Sequence, residues 1–252
     1  MEKILLSNKS LKNLKIYSKS KMCSEGKLYQ NDKYLYKIFN KEDRDEKEKI
    51  TDFLMNIGYV ENCVMPNSKI YINNIFAGMR MDFYARYKQL YSTLHDESVS
   101  YNTRLLICNK LIQAVKKLEE MGICYDDINL YNLLIYNDDL QIVDMDGSAI
   151  EGISSKSEYK HAKHLIKCNS IILVFSYLYG TDFEHFIYKY GKEKFKTIIE
   201  KLNIDKEIKK FVYATILKKE NPVGFINQFF ALLNEEEITK DKHNTIVKIM
   251  KK

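Results

Sequence analysis

Apolar and polar positions alternate in short runs at first and then change to a helical period, so the chain divides into two parts. Residues 27–29 and Tyr34–Phe39 are strand-like runs on either side of Gln30-Asn31-Asp32. They predict a hairpin, because Asn and Asp bond to their own backbone and tolerate tight bends. The charged run 41–49 leads into Ile50, Phe53, Leu54 and Ile57, a spacing that predicts a helix stopped by Gly58. Two more strands are expected at Ser68–Ile72 and 75–81. Beyond about Asp82 helices dominate. Leu105, Cys108, Ile112, Val115 and Leu118 form one stripe that Gly122 closes. Leu133–Tyr136 and 140–143, joined by Asn137-Asp138-Asp139, predict a second hairpin. The nearly continuous apolar run 165–179 predicts a buried core helix, and amphipathic helices are expected over 182–201, 206–218 and 222–233. The pattern as a whole predicts an α+β protein with a small β-rich unit at 1–82 and a larger helical unit at 83–252.

Composition narrows the possible functions. The chain has 252 residues, of which 45% are hydrophobic, enough apolar material to build a core and to exclude a fully disordered protein. Its 40 basic residues are interspersed with 34 acidic ones, without a dense basic block interleaved with aromatics, and no nucleic-acid partner is expected. No apolar run reaches the length that spans a bilayer, and the apolar stretch in residues 1–6 is too short for a secretory signal, so no membrane partner is expected. The five cysteines stand far apart, with no C-x-x-C pair. That argues against a disulfide framework or a zinc site and predicts a reducing, cytoplasmic setting.

The chemistry concentrates in residues 122–147, GICYDDINLYNLLIYNDDLQIVDMDG. A predicted buried helix ends, a polar loop supplies Asp127 and then Asn132, and a hairpin delivers Asp144 at a strand end, followed by Asp146. Any one of these is an ordinary turn residue. Together they place carboxylate and amide oxygens on short elements around one loop, the donor type that a hard cation such as Mg²⁺ takes.

This segment resembles the catalytic loop and metal-binding strand end of the protein-kinase-like superfamily, which includes eukaryotic-like Ser/Thr protein kinases and the aminoglycoside and choline phosphotransferases. Tyr125-Asp126-Asp127-Ile128, Asn132 and Asp144-Met145-Asp146 lie at the spacing of H-R-D-L-x-x-x-N and D-F-G. The resemblance implies a bilobal kinase-like fold that uses ATP and Mg²⁺. It makes Asp127 the catalytic base, Asn132 and Asp144 the metal ligands, and Asp146 a further carboxylate near the metal. Upstream, Tyr34-Leu35-Tyr36-Lys37-Ile38-Phe39 resembles the V-A-I-K strand, with Lys37 as the phosphate-contacting lysine and Glu46 or Glu48 on the next helix as its partner. Gly26 stands in the phosphate-covering segment, and Met81, Asp82 and Tyr84 occupy the adenine-binding hinge. The sequence departs from the family in four ways. The covering segment carries only Gly26, Tyr125 and Asp126 replace the His and Arg, the segment after Gly147 is short, and no A-P-E follows. The implied activity is phosphorylation of Ser/Thr hydroxyls of a protein. A small hydroxylated molecule as acceptor and a pseudokinase binding module are the alternatives.

Overall fold

The computed structural model describes residues 2–17, 24–202, 204 and 206–214, which form an α+β fold. Six strands make one sheet: β1 (Glu2–Leu6), β2 (Lys15–Ile16), β3 (Gly26–Gln30), β4 (Tyr34–Phe39), β5 (Ser68–Ile72) and β6 (Ile75–Asp82), in the order β1-β5-β6-β4-β3-β2. All pairings are antiparallel except β1 with β5, which runs parallel with Glu2 opposite Ser68. A short helix, α1 (Asn8–Lys12), follows β1 and is capped by Ser7. Neither β1 nor α1 is foreseen by the sequence pattern. The predicted hairpin turn forms on Asn31, whose Oδ1 accepts the N–H groups of Lys33 and Tyr34 at 3.0 and 2.7 Å.

The central strand β4 carries Lys37 and is gripped by two glycines. A Cβ on Gly26 would lie 2.2 Å from the Ile38 carbonyl oxygen, and one on Gly78 would lie 2.0 Å from that of Lys37. Only a residue without a side chain lets β3 and β6 approach so closely. Gly26, expected in a phosphate-covering segment, stands at the start of β3, where its missing side chain serves strand packing.

Helix α2 (Arg44–Ile57) ends at Gly58, where φ is 76°, a left-handed conformation that suits glycine. Its buried residues are Lys47, Ile50, Thr51 and Leu54. Ile50 and Leu54 of the expected stripe are buried and Phe53 and Ile57 pack partly buried on the core, while Lys47 and Thr51 join the inner face unforeseen.

The second part contains β7 (Lys88–Gln89), α3 (Tyr101–Glu120), β8 (Ile123–Cys124), β9 (Leu133–Tyr136), β10 (Asp139–Ile142), β11 (Ala149–Ile150), α4 (Lys156–Tyr179), α5 (Phe183–Tyr190), α6 (Lys192–Lys201) and α7 (Lys206–Val212). Ser100 caps α3, and Gly122 closes it at φ 74°. The buried Arg104 of α3 donates to the carbonyls of Thr93, Leu94, Asp96 and Tyr177, tying the loop before α3 to the end of α4. Helix α4 starts at Lys156, well before the expected 165, because Ser155 and Glu158 form a capping box ahead of the apolar run. The single helix expected over 182–201 is broken at Gly191, with φ 83°. Part of the expected 206–218 helix and all of 222–233 lie outside the described residues.

The main core joins α3, α4 and the β9–β10 hairpin through Ile107, Leu111, Leu118, Leu133, Ile142 and Phe175, and it takes in Ile50 and Leu54 of α2. Each such side chain stabilises the fold by about 1.5–3 kcal/mol when fully buried. The hairpin is also stitched to the chain between α2 and β5, since Val64 N–H donates to Ile142 O and Ile142 N–H to Asn62 O, both at 2.8 Å. These contacts fix the end of β10 against the sheet. Among the described residues no helix is long and apolar enough to cross a membrane.

Candidate active site

Strand β4 and the end of β10 bring Lys37 to Asp144 and Asp146. The Lys37 ammonium donates to Asp144 Oδ1 at 2.5 Å, to Asp146 Oδ2 at 2.8 Å and to Asp146 Oδ1 at 3.1 Å. The side chain of Lys37 is only 1% exposed and Asp146 is fully buried, whereas Asp144 is 42% exposed. Burial pulls the Lys37 ammonium down, but the charges of Asp146 and Asp144 outweigh it and hold the group above its ordinary range. Burial also raises the Asp146 carboxyl. With the Lys37 ammonium against both of its oxygens and Lys47 close by, Asp146 is assigned the ionised form, which two adjacent positive charges favour.

The geometry of the strand end is set by backbone. Asp144 adopts φ 68° and ψ 33°, left-handed for a residue with a side chain, at a cost of about 1 kcal/mol. This kink ends the strand and starts the turn Met145–Gly147, so Asp144 faces outward while Asp146 is driven inward.

Asp127 and Asn132 form the adjoining half. Asn132 Nδ2 donates to Asp127 Oδ2 at 2.9 Å, to Asp127 O at 3.0 Å and to the Tyr125 hydroxyl at 2.7 Å. Asn129 Nδ2 donates to Asp127 Oδ1 at 3.0 Å, and Asn129 Oδ1 accepts the N–H groups of Tyr131 and Asn132. Partial burial raises the Asp127 carboxyl. Hydrogen bonds from Asn129 and Asn132 oppose the shift, and the Asp144 and Asp126 charges add to it. Tyr125, at the position of the family's histidine, is buried beneath the loop, and its hydroxyl orients the Asn132 amide.

The expected partners of Lys37 on α2 are not its partners. Glu46 is exposed, and Glu48 accepts from Lys69 at 3.0 Å and from the Tyr71 hydroxyl at 3.2 Å. The residue that α2 turns inward is Lys47, which donates to Asp146 O at 3.0 Å and to Glu25 Oε1 at 2.8 Å. Glu25, just before β3, also accepts from Lys37 through Oε2 at 3.4 Å. Sequence reasoning missed both Glu25 and Lys47. The available signal for Lys47 was its place on the 47, 50, 51, 54 stripe of α2.

Of the residues expected at the hinge, Met81 and Tyr84 share a cluster with the strand end and Asp82 does not. Met81 is buried with Phe39, Phe76 and Met79, and Tyr84 packs on the same cluster together with Val143, the neighbour of Asp144. Asp82 sits opposite Tyr34 in β4, with Oδ1 accepting from Asn67, and the Phe83 N–H is taken by the Lys33 carbonyl.

Among the described residues no three His, Cys, Asp or Glu side chains are grouped to hold a metal ion by themselves. The donor chemistry still fits Mg²⁺, which keeps several waters and takes few protein oxygens. Asp144 is open to solvent, Asn132 has its amide nitrogen occupied and its oxygen as the remaining donor atom, and Asp127 senses the charge of Asp144. Asp146 is placed differently: it is fully buried and Lys37 takes up both of its oxygens, so it stands here as the lysine's counterion.

The sequence matches no protein-family model, and no curated protein matches it.

Proposed function

We propose that the chain is an ATP- and Mg²⁺-dependent phosphotransferase of the bilobal protein-kinase-like fold, with residues 1–82 as the smaller lobe and 83–252 as the larger. The observation that carries this reading is the contact of Lys37 with Asp144, 107 residues apart in sequence, next to the Asp127–Asn132 loop. In this reading Asn132 and Asp144 would hold the cation, and the Lys37 N–H released by Asp144 would turn to the phosphates of the nucleotide. When bound, magnesium would neutralise phosphate charge. Asp127 accepts a hydrogen bond from the acceptor hydroxyl and aims its oxygen at the γ-phosphorus. As the new O–P bond forms, the bond to the bridging oxygen breaks, the proton passes to Asp127 and ADP leaves.

A protein Ser/Thr side chain is the proposed acceptor. Helix α3 leads into the Asp127 loop through β8 alone, with no inserted subdomain to enclose a small acceptor. A second reading, a small hydroxylated molecule, is favoured by one observation: only residues 148–155 separate Gly147 from α4.

The test measures melting temperature with ATP, with and without Mg²⁺, and then transfer of labelled γ-phosphate to proteins and to hydroxylated small molecules. A metal-dependent rise with label in a protein supports the main reading, whereas label only in a small molecule supports the second. No metal-dependent rise and no transfer would overturn both.

A further inference from the structure

Lys37 and Lys47 share their counterions. The two oxygens of Glu25 are divided between them, Oε1 at 2.8 Å from Lys47 Nζ and Oε2 at 3.4 Å from Lys37 Nζ. Asp146 Oδ2 lies 2.8 Å from Lys37 and 3.7 Å from Lys47. The four groups therefore close a ring of alternating charge. In that ring the inward residue of α2 is a cation, and the carboxylate comes from the residue just before β3. Asp146 is enclosed, and its place is fixed further by the bond from Lys47 to its backbone oxygen. Glu25 is different: its side chain is 38% exposed, and it stands on the solvent side of the ring.

Neither lysine can leave the ring cheaply, because an ammonium buried without a partner costs several kcal/mol. A single carboxylate that holds both nitrogens thus restricts where Lys37 Nζ can stand. We infer that Glu25 is a positioning residue for Lys37 and that Lys47 anchors Glu25, so that residues 24–25 take over the orienting task assigned by the resemblance to a glutamate of α2. The inference rests on the phosphotransferase reading and names a part of that site. Because Glu25 precedes β3 directly and Asn40 Nδ2 donates to Ser24 O at 2.9 Å, the strand pair β3–β4 sets the position of this carboxylate.

The experiment uses the full chain and the isosteric variant Glu25→Gln, with the conservative Glu25→Asp and the anchor variant Lys47→Met beside it. KM for ATP is expected to rise about tenfold in Glu25→Gln, as for the loss of one charged hydrogen bond, while KM for the acceptor stays unchanged. Glu25→Asp should recover part of this loss. The Glu25→Gln/Lys47→Met double variant should lose less than the sum of the two single variants, because both changes break the Glu25–Lys47 contact. A purely structural role would lower the melting temperature without separating the two KM values. Lys47→Met also uncovers Asp146 and can fail to fold. In that case the decision rests on Glu25→Gln, whose exposed side chain leaves the core intact. If wild type turns over and Glu25→Gln matches it, or if Glu46→Gln is the variant that raises KM for ATP, the inference is overturned while the phosphotransferase reading stands. If wild type shows neither turnover nor a nucleotide-dependent melting shift, that reading falls first and takes the inference with it.

Discussion

Lys37, Lys47 and Asp146 meet where water does not reach, whereas Asp127 and Asn132 lie on a partly open loop held by amide groups. The first group is ordered by charge. Two buried ammonium groups and a fully buried carboxylate hold each other because none is tolerable alone. The second is ordered by short side-chain bonds from Asn129 and Asn132, which leave the Asp127 carboxylate accessible. One half of the site is therefore part of the fold, and the other half is carried on it. Substitutions should separate stability from turnover along that line.

The largest effect is expected on turnover at the open half. Asp127→Asn should lower steady-state phosphoryl transfer about a thousandfold, as for the loss of a general base, with little change in the urea unfolding midpoint. A large drop in that midpoint would blur the contrast. Next comes the buried half. Lys37→Met strips Asp146 of its nearest cation and should cost about 3 kcal/mol in urea unfolding, in addition to abolishing turnover. Gly26→Ala forces a methyl group against the Ile38 carbonyl and should cost about 2 kcal/mol, read from the same unfolding curves. The smallest effect is in the pH profile. Burial raises the Asp127 carboxyl, and a base must be ionised to work, so activity should be lost as pH falls through that raised value. The acid limb of kcat/KM should thus begin above the ordinary carboxylate range, and it should move further up in Asn132→Ala, which removes a hydrogen bond that holds the group down.

The parts of the site legible in the sequence are those set by local spacing. Asp127, Asn132 and Asp144 follow one loop and one hairpin, so their spacing groups them, whereas Lys37, in an apolar strand far upstream, joined them only through the family resemblance. The lysine's partners were not legible, for two reasons. On α2 the expected apolar face forms with Ile50 and Leu54 buried, but it also takes in a charged residue, Lys47, which apolar patterning alone counts against. Glu25 meets Lys47 only through the packing of β3 and β4 beside α2, and no local signal marks it. The same limit hid β1, a short strand whose partner β5 is distant in sequence. It also hid the start of α4, where the capping box at Ser155 precedes turns that carry few apolar residues. The four strands β3 to β6, helices α2 and α3 and the β9–β10 hairpin formed where the pattern placed them, within a residue or two at each end for the strands and the hairpin.

The chain between the turn Met145–Gly147 and α4 is tied along its length. Ser148 N–H donates to Met145 O, β11 pairs with β8, Glu151 N–H reaches Gly122 O, and Ser154 and Ser155 spend their hydroxyls on backbone N–H groups. A stretch so short and so fully bonded has no slack with which to swing outward and back. The geometry around Asp144 is thus assembled once, during folding, and no later ordering event has to complete it.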